Sequence, residues 1–263
     1  MGIIRMIILK QNKIATLLFV CASALFLMSC SSNSVAKPIK ILPLGDSITC
    51  ASKYKVSYRY PLWKHLVDAG KQVEFIGTQA EKGNGGRVTW ETYKNSVFPP
   101  ANEGHSGWRA DQILNGLENK KEKGLSTWLS GYQPDIALIH LGTNDMYQKQ
   151  TPESTRDEIE QIIVKLRANN PAVKIVLAQV IPMRTDASIP RLNQLLAQLA
   201  QKLNQPNSPV MVVDMYSGFN LNTDMQKDKI HPNANGEKKM AERWFNALMS
   251  PQMLGNRQSE LAL

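Results

Sequence analysis

Five apolar runs recur along this chain, and they constrain its fold more than any other feature. They are Ile39 to Leu44, Val73 to Ile76, Ile136 to Leu141, Val173 to Ile181 and Val210 to Asp214. Each is short, nearly continuous in apolar side chains and followed by a polar or glycine-containing break. Longer amphipathic stretches separate them. Tyr60 to Ala69 places Leu62, Trp63, Leu66 and Val67 at helical spacing, and Pro152 to Ala168 does the same with Ile159, Ile162, Ile163 and Leu166 behind a Thr151 cap. Ala110 to Leu117, Leu125 to Leu129, Leu192 to Leu203 and Asn235 to Leu248 also read as helices. Strands apolar on both faces, alternating with helices, predict a parallel sheet covered on each side: an α/β chain folded as a three-layer α/β/α sandwich. In such sheets ligands bind beyond the carboxyl ends of the strands.

The segment from Thr78 to Ser106 breaks this rhythm. It is polar, with Gly83, Gly85, Gly86 and Pro99-Pro100, and reads as loop with a small strand pair around Val88 and Tyr93. A loop of this length in a compact domain usually has a function.

The N-terminus has a different logic. Arg5, Lys10 and Lys13 precede an apolar run from Ile14 to Met28, and no acid occurs before Cys30. A basic start, a short apolar core and small residues at the end describe an export signal rather than a membrane span. Leu27-Met28-Ser29-Cys30 resembles a bacterial lipobox, which implies a signal over 1–29, lipidation of Cys30 and a lipid anchor to the membrane. By the same resemblance, the Ser31-Ser32 pair points to the outer membrane, with periplasmic or secreted forms as the alternative. Residues 30–38 read as a tether, 39–250 as the folded domain and 251–263 as a loose tail. Only Cys50 then remains inside the domain, so no internal disulfide can form there.

At 263 residues, 43% apolar and 20% charged, the chain has material for one substantial core. The formal charge of +9 falls once the three basic residues of the signal are set aside, leaving 28 Lys and Arg against 22 acids, or +6. Lysines spread over helix faces with no Arg-rich stripe exclude a nucleic-acid partner.

Several short blocks carry candidate chemistry. Gly45-Asp46-Ser47 follows the first strand directly, where a serine hydroxyl can face the crevice. Asp228-Lys229-Ile230-His231 offers a base and, three residues before it, a carboxylate to orient its ring. Gly107, in Gly104-His105-Ser106-Gly107-Trp108, and Asn144, in Gly142-Thr143-Asn144-Asp145, can donate hydrogen bonds to an oxyanion together with the amide of Ser47. Of the four histidines, His65 lies in a helix and His140 in a buried strand, both structural positions, whereas His105 lies in the loop. Each block alone equally describes a turn or a cap.

Taken in order, the four blocks resemble the SGNH hydrolase superfamily, the GDSL esterases and lipases, over about Ile39 to Leu248. The resemblance implies a flavodoxin-like five-stranded parallel sheet in the order 2-1-3-4-5. It also implies Ser47, Asp228 and His231 as a catalytic triad, and Ser47, Gly107 and Asn144 as the oxyanion hole. Neither a metal nor another cofactor is implied. Tyr58-Arg59, Glu103 to Gly107 and Ile181-Pro182 look like the esterases that deacetylate xylan and related sugars, with Arg59, His105 and Trp108 as substrate-lining candidates. Trp90 and Tyr93 are further candidates to stack on a sugar ring. The polar, lysine-containing loop from Ala51 to Ser57 departs from many family members and bears on substrate choice. The implied substrate is an acylated carbohydrate or another small ester. A broader esterase or lysophospholipase-like enzyme, and a non-catalytic surface binding module, are the competing readings.

Overall fold

The computed structural model describes residues 37–50, 57–79, 92–184 and 187–254. The export signal, Cys30, most of the tether and Trp90 lie outside the described residues. In chain order the strands are β1 (Ile39–Gly45), β2 (Val73–Phe75), β3 (Glu103–Gly104), β4 (Gly116–Leu117), β5 (Glu122–Lys123), β6 (Ile136–His140), β7 (Lys174–Ala178) and β8 (Val210–Val213). The helices are α1 (Ser47–Cys50), α2 (Arg59–Asp68), α3 (Ala110–Asn115), α4 (Leu125–Trp128), α5 (Thr143–Tyr147), α6 (Pro152–Asn169), α7 (Ile189–Leu203), α8 (Ala234–Leu248) and α9 (Pro251–Leu254). Among the described residues, no helix is long and apolar enough to cross a membrane.

The main sheet runs β2-β1-β6-β7-β8, with every pairing parallel. This is the expected order 2-1-3-4-5 with the five long runs numbered by themselves. The strand side chains divide by alternation, as the pleat requires. Leu42, Leu44, Ala137, Ile139, Ile175 and Leu177 pack with α3, α4, α6 and α7 on one face. Ile41, Ile136, Leu138, Val176 and Ala178 pack with α2 and α8 on the other. The chain reverses its direction of travel across the sheet at β1, so the crevice beyond β1 and β6 is the topological switch point.

Three features differ from the sequence reading. The small β3, paired in parallel with the end of β1 through Leu44↔Glu103 and Gly45↔Gly104, was not expected. It continues the edge of the sheet past β2, which pairs only the start of β1 at Ile39 to Ile41. The expected helix from Ala110 to Leu117 stops at Asn115, where Gly116 takes φ +85° and the chain turns into an antiparallel pair, β4 with β5. A side chain at Gly116 would meet the Glu122 carbonyl oxygen at 2.2 Å, so the turn requires glycine. The tail is not loose at its start: α9 buries Met253 and Leu254, and the Lys174 ammonium donates to the Met253 carbonyl at 2.6 Å. Periodicity cannot register a single apolar turn docked on a finished core. Within the long loop, Tyr93 bridges Ser96, and the expected strand pair with Val88 lies outside the described residues.

Candidate active site

Ser47 is the first residue of α1, with only Asp46 between it and the end of β1. The chain turns there only because residue 45 is glycine. A Cβ on Gly45 would lie 2.2 Å from Thr49 Oγ1 and 2.7 Å from the His140 carbonyl oxygen. Asp46 is fully buried and accepts the Ile48 amide at 2.9 Å through Oδ1. Burial raises its pKa to about 7, against the opposing pull of that amide and of His231.

The segment 225–232 supplies the partners of Ser47. Met225 bridges Pro232, and the Gln226 amide donates to the His231 carbonyl at 2.8 Å, closing a tight loop with Lys229 at φ +56°. Ser47 Oγ lies 2.8 Å from His231 Nε2. On the far side of the ring, His231 Nδ1 lies 2.8 Å from Asp228 Oδ2. With Nδ1–H donating to the carboxylate, Nε2 is left to accept the serine proton. Asp228 Oδ1 also accepts the amides of Ile230 and His231 at 2.9 and 3.0 Å. Partial burial pushes the Asp228 carboxyl up. These two amides and the ring outweigh that and hold it below the usual carboxylate range, so it stays ionised at neutral pH.

Gly107 and Asn144 reach the same crevice from neighbouring elements. The Gly107 loop leaves β3, whose Gly104 packs directly on Cys50 of α1, and the His105 amide donates to the Gly45 carbonyl at 3.0 Å. Ser106 Oγ lies 3.0 Å from Cys50 Sγ, a second tie to the serine helix. Asn144 sits on α5, just beyond β6, and donates one Nδ2 hydrogen to the Trp108 carbonyl at 2.9 Å. One turn later, Gln148 Nε2 donates to the Gly107 carbonyl at 3.2 Å. Residues i and i+4 on one helix face thus brace consecutive carbonyls of the loop. Among the described residues, the amides of Ser47 and Gly107 have no acceptor. Such amides, with the second Nδ2 hydrogen of Asn144, are the donors an oxyanion requires.

The substrate-lining expectations fare unevenly. Arg59 does not line the crevice. It is buried, with its guanidinium spent on the carbonyls of Thr49 (2.9 Å), Cys50 (3.3 Å) and Pro100 (2.5 Å). Desolvation lowers its pKa to about 10, so the cation persists at neutral pH and clamps the end of α1. His105 is structural too: its ring stacks on Trp128 at 4.3 Å and its Nε2 pairs with Glu103 Oε1 at 2.7 Å. Trp108 is buried in the core and borders a cavity beside Gly107. Tyr93 instead donates to Asp68 and packs on Trp63. Buried His140 is pushed down to about 4 and is neutral.

Glu103 was not assigned a role from sequence. Its carboxylate is fully buried and accepts from the Thr78 amide (2.9 Å), Thr78 Oγ1 (2.5 Å), His105 Nε2 and the Tyr132 hydroxyl. Four donors drawn from three separate segments leave no local pattern to read.

A second acidic group supports the loop from behind. One carboxylate oxygen from each of Asp111, Asp145 and Glu158 lies within 4.8 Å of the others. Arg109 binds Asp111 through two nitrogens and reaches Gln148 at 2.6 Å, so this group connects to the brace on Gly107. Burial, then neighbouring carboxylates, raise Glu158 to about 7; burial likewise raises Asp145 to about 6. Both folded values lie above the unfolded ones, so the contribution of these two groups to stability is greatest below about pH 4 and is lost as pH rises toward 7. Glu158→Gln removes the cost of ionising one member. Because Glu158 keeps contact with water, the expected gain is only about 1 kcal/mol at pH 8, and most of it vanishes at pH 4.5. Urea unfolding at the two pH values checks this; an equal effect at both contradicts it.

The family described as GDSL-like Lipase/Acylhydrolase matches residues 41–244, and the chain belongs to that family of carboxylic ester hydrolases. The chain is similar to a solved carbohydrate esterase family 3 protein from Talaromyces cellulolyticus, at 28% identity and a TM-score of 0.68, covering 80% of this chain and 96% of that one. The same identity, TM-score and coverage relate it to a solved acetyl esterase variant with an acetate ion. A multidomain esterase from Ruminococcus flavefaciens is 26% identical over 232 residues, 82% of this chain, and the chain spans only 29% of that relative's length.

Proposed function

We propose that the protein is a serine esterase that removes short acyl groups, acetyl foremost, from carbohydrate. The hydrogen-bonded chain from Ser47 through His231 to Asp228 carries this reading. As Ser47 Oγ attacks the ester carbonyl, its proton passes to His231 Nε2. Asp228 holds the imidazolium that forms. The charge on the carbonyl oxygen falls to the amides of Ser47 and Gly107 and to Asn144 Nδ2. His231 then protonates the departing alcohol, leaving an acyl group on Ser47. Water, giving its proton to the same nitrogen, attacks that ester and frees the acid. The likeness to a family 3 carbohydrate esterase and to an acetyl esterase supports the sugar and the acetyl group.

For its location, we propose an exported lipoprotein anchored through Cys30 at the outer membrane. The basic, apolar and small-residue succession before Cys30 supports this. Hydrolysis of p-nitrophenyl esters from acetyl to long chains, by the protein starting at Cys30, tests the acyl preference. A maximum at acetyl, falling at least about tenfold by eight carbons, is the outcome this reading expects. A maximum at eight carbons or beyond overturns the acetyl reading in favour of a lipid esterase.

A further inference from the structure

We infer that the excursion between α3 and α4 builds a subsite for the sugar ring on the leaving-group side of the ester. The inference rests on the carbohydrate-ester reading above. The β4–β5 pair, with the 3-10 turn Glu118–Lys120 at its tip, and the Gly107 loop border an open cavity of about 400 Å³. Pockets of about 300 to 1,000 Å³ hold small organic ligands. Gly107 and Trp108 form its floor, and Gln112, Leu117, Asn119 and Lys120 its walls.

Position decides which part of the substrate enters. Gly107 belongs both to this cavity and to the set of oxyanion donors. An ester whose carbonyl oxygen sits on the Gly107 amide directs one of its two ends here. One end is the acyl group, for acetyl a single methyl. The other is the alcohol, a pyranose ring or a chain of them. A cavity of this size is far larger than a methyl group needs.

The lining matches a polyol as well. A pyranose presents an apolar C–H face and a rim of hydroxyls that both donate and accept. Trp108 is buried and borders the cavity with little of its ring, packed at a tilt against His105 at 4.6 Å. Asn119 and Gln112 carry amides that donate and accept, and Lys120 adds donors. The excursion is also a built feature rather than slack loop. Gly116 and Lys121 take φ +85° and +57°, and the strands pair at Gly116↔Lys123 and Leu117↔Glu122.

The test compares two substrates on one enzyme. Asn119→Ala and Lys120→Ala, both at exposed positions, are assayed on acetylated xylo-oligosaccharide and on p-nitrophenyl acetate. The ratio of the two kcat/KM values is expected to fall about tenfold in Asn119→Ala, through KM for the sugar, as for one lost hydrogen bond. Deacetylated xylo-oligosaccharide should inhibit p-nitrophenyl acetate hydrolysis competitively, and more weakly in both variants. An unchanged ratio together with unchanged inhibition overturns the subsite while leaving the esterase intact. A wild-type enzyme that cleaves p-nitrophenyl acetate yet neither cleaves nor is inhibited by the sugars overturns the subsite and the carbohydrate reading together. Wild-type protein inert toward every ester overturns the esterase reading itself.

Discussion

Replacing Ser47 with alanine is expected to lower kcat for acetyl ester hydrolysis by at least about 10⁴-fold. The size follows from what the hydroxyl does in the proposed reaction. It supplies the attacking oxygen, so without it no acyl-enzyme forms, and the remaining groups can only bind the ester and steady a charge that water must generate unaided. Folding should survive. The Ser47 hydroxyl is partly exposed and, among the described residues, hydrogen-bonds only to His231 Nε2. Its removal therefore costs at most about 1 kcal/mol, and the amide of residue 47 stays where it is. Circular dichroism and urea unfolding of Ser47→Ala, beside its kinetics, separate a lost nucleophile from a lost fold. Retention of a tenth of the wild-type rate would remove Ser47 from the chemistry and return the binding-module reading to contention.

The second large effect is on stability. Glu103→Ala is expected to cost about 3–5 kcal/mol, because it strips a fully buried carboxylate from four donors. The Thr78 amide and hydroxyl, the Tyr132 hydroxyl and the His105 ring nitrogen would lose the one acceptor they share at the buried end of the loop. The damage should spread toward catalysis. His105 loses its anchor, the Trp108 amide donates to the His105 carbonyl at 3.1 Å, and Gly107 lies between them. Protein that still folds is expected to lose rate with the smallest ester as well as with larger ones, since a displaced Gly107 amide misses the oxyanion whatever the alcohol. The midpoint of urea unfolding measures the first effect, and a loss under 1 kcal/mol would show that Glu103 is not the anchor of this loop.

These residues also mark how far the sequence could be read. The long strands were legible because each is a run of apolar side chains bounded by glycine or polar residues, and burial on both faces leaves little else in the pattern. Ser47 was legible as a serine at a strand end. Asp228 and His231 were legible because their partnership is local, three residues apart in one loop. Glu103 was not, since its partners lie 25 and 29 residues away at Thr78 and Tyr132, beyond any periodicity. Arg59 was read as facing substrate because Tyr58-Arg59 resembles the esterases that deacetylate xylan. Carbonyls from α1 and from Pro100 gather around it instead, a backbone arrangement no side-chain pattern encodes. The β4–β5 pair escaped for another reason: strands of two residues have no alternation to detect, and the leucine at its centre, Leu117, extended the apparent helical stripe of α3.

The most direct test of the central claim is the mass of the intact protein after exposure to a fluorophosphonate, followed by mapping of the modified residue. An activated serine hydrogen-bonded to a histidine attacks such a reagent and keeps it, whereas an ordinary serine does not. One adduct per chain, located on Ser47 and absent from Ser47→Ala and His231→Ala, is the predicted result. A chain that stays unmodified, or one labelled elsewhere while Ser47 remains free, would contradict an acyl-enzyme mechanism at this site.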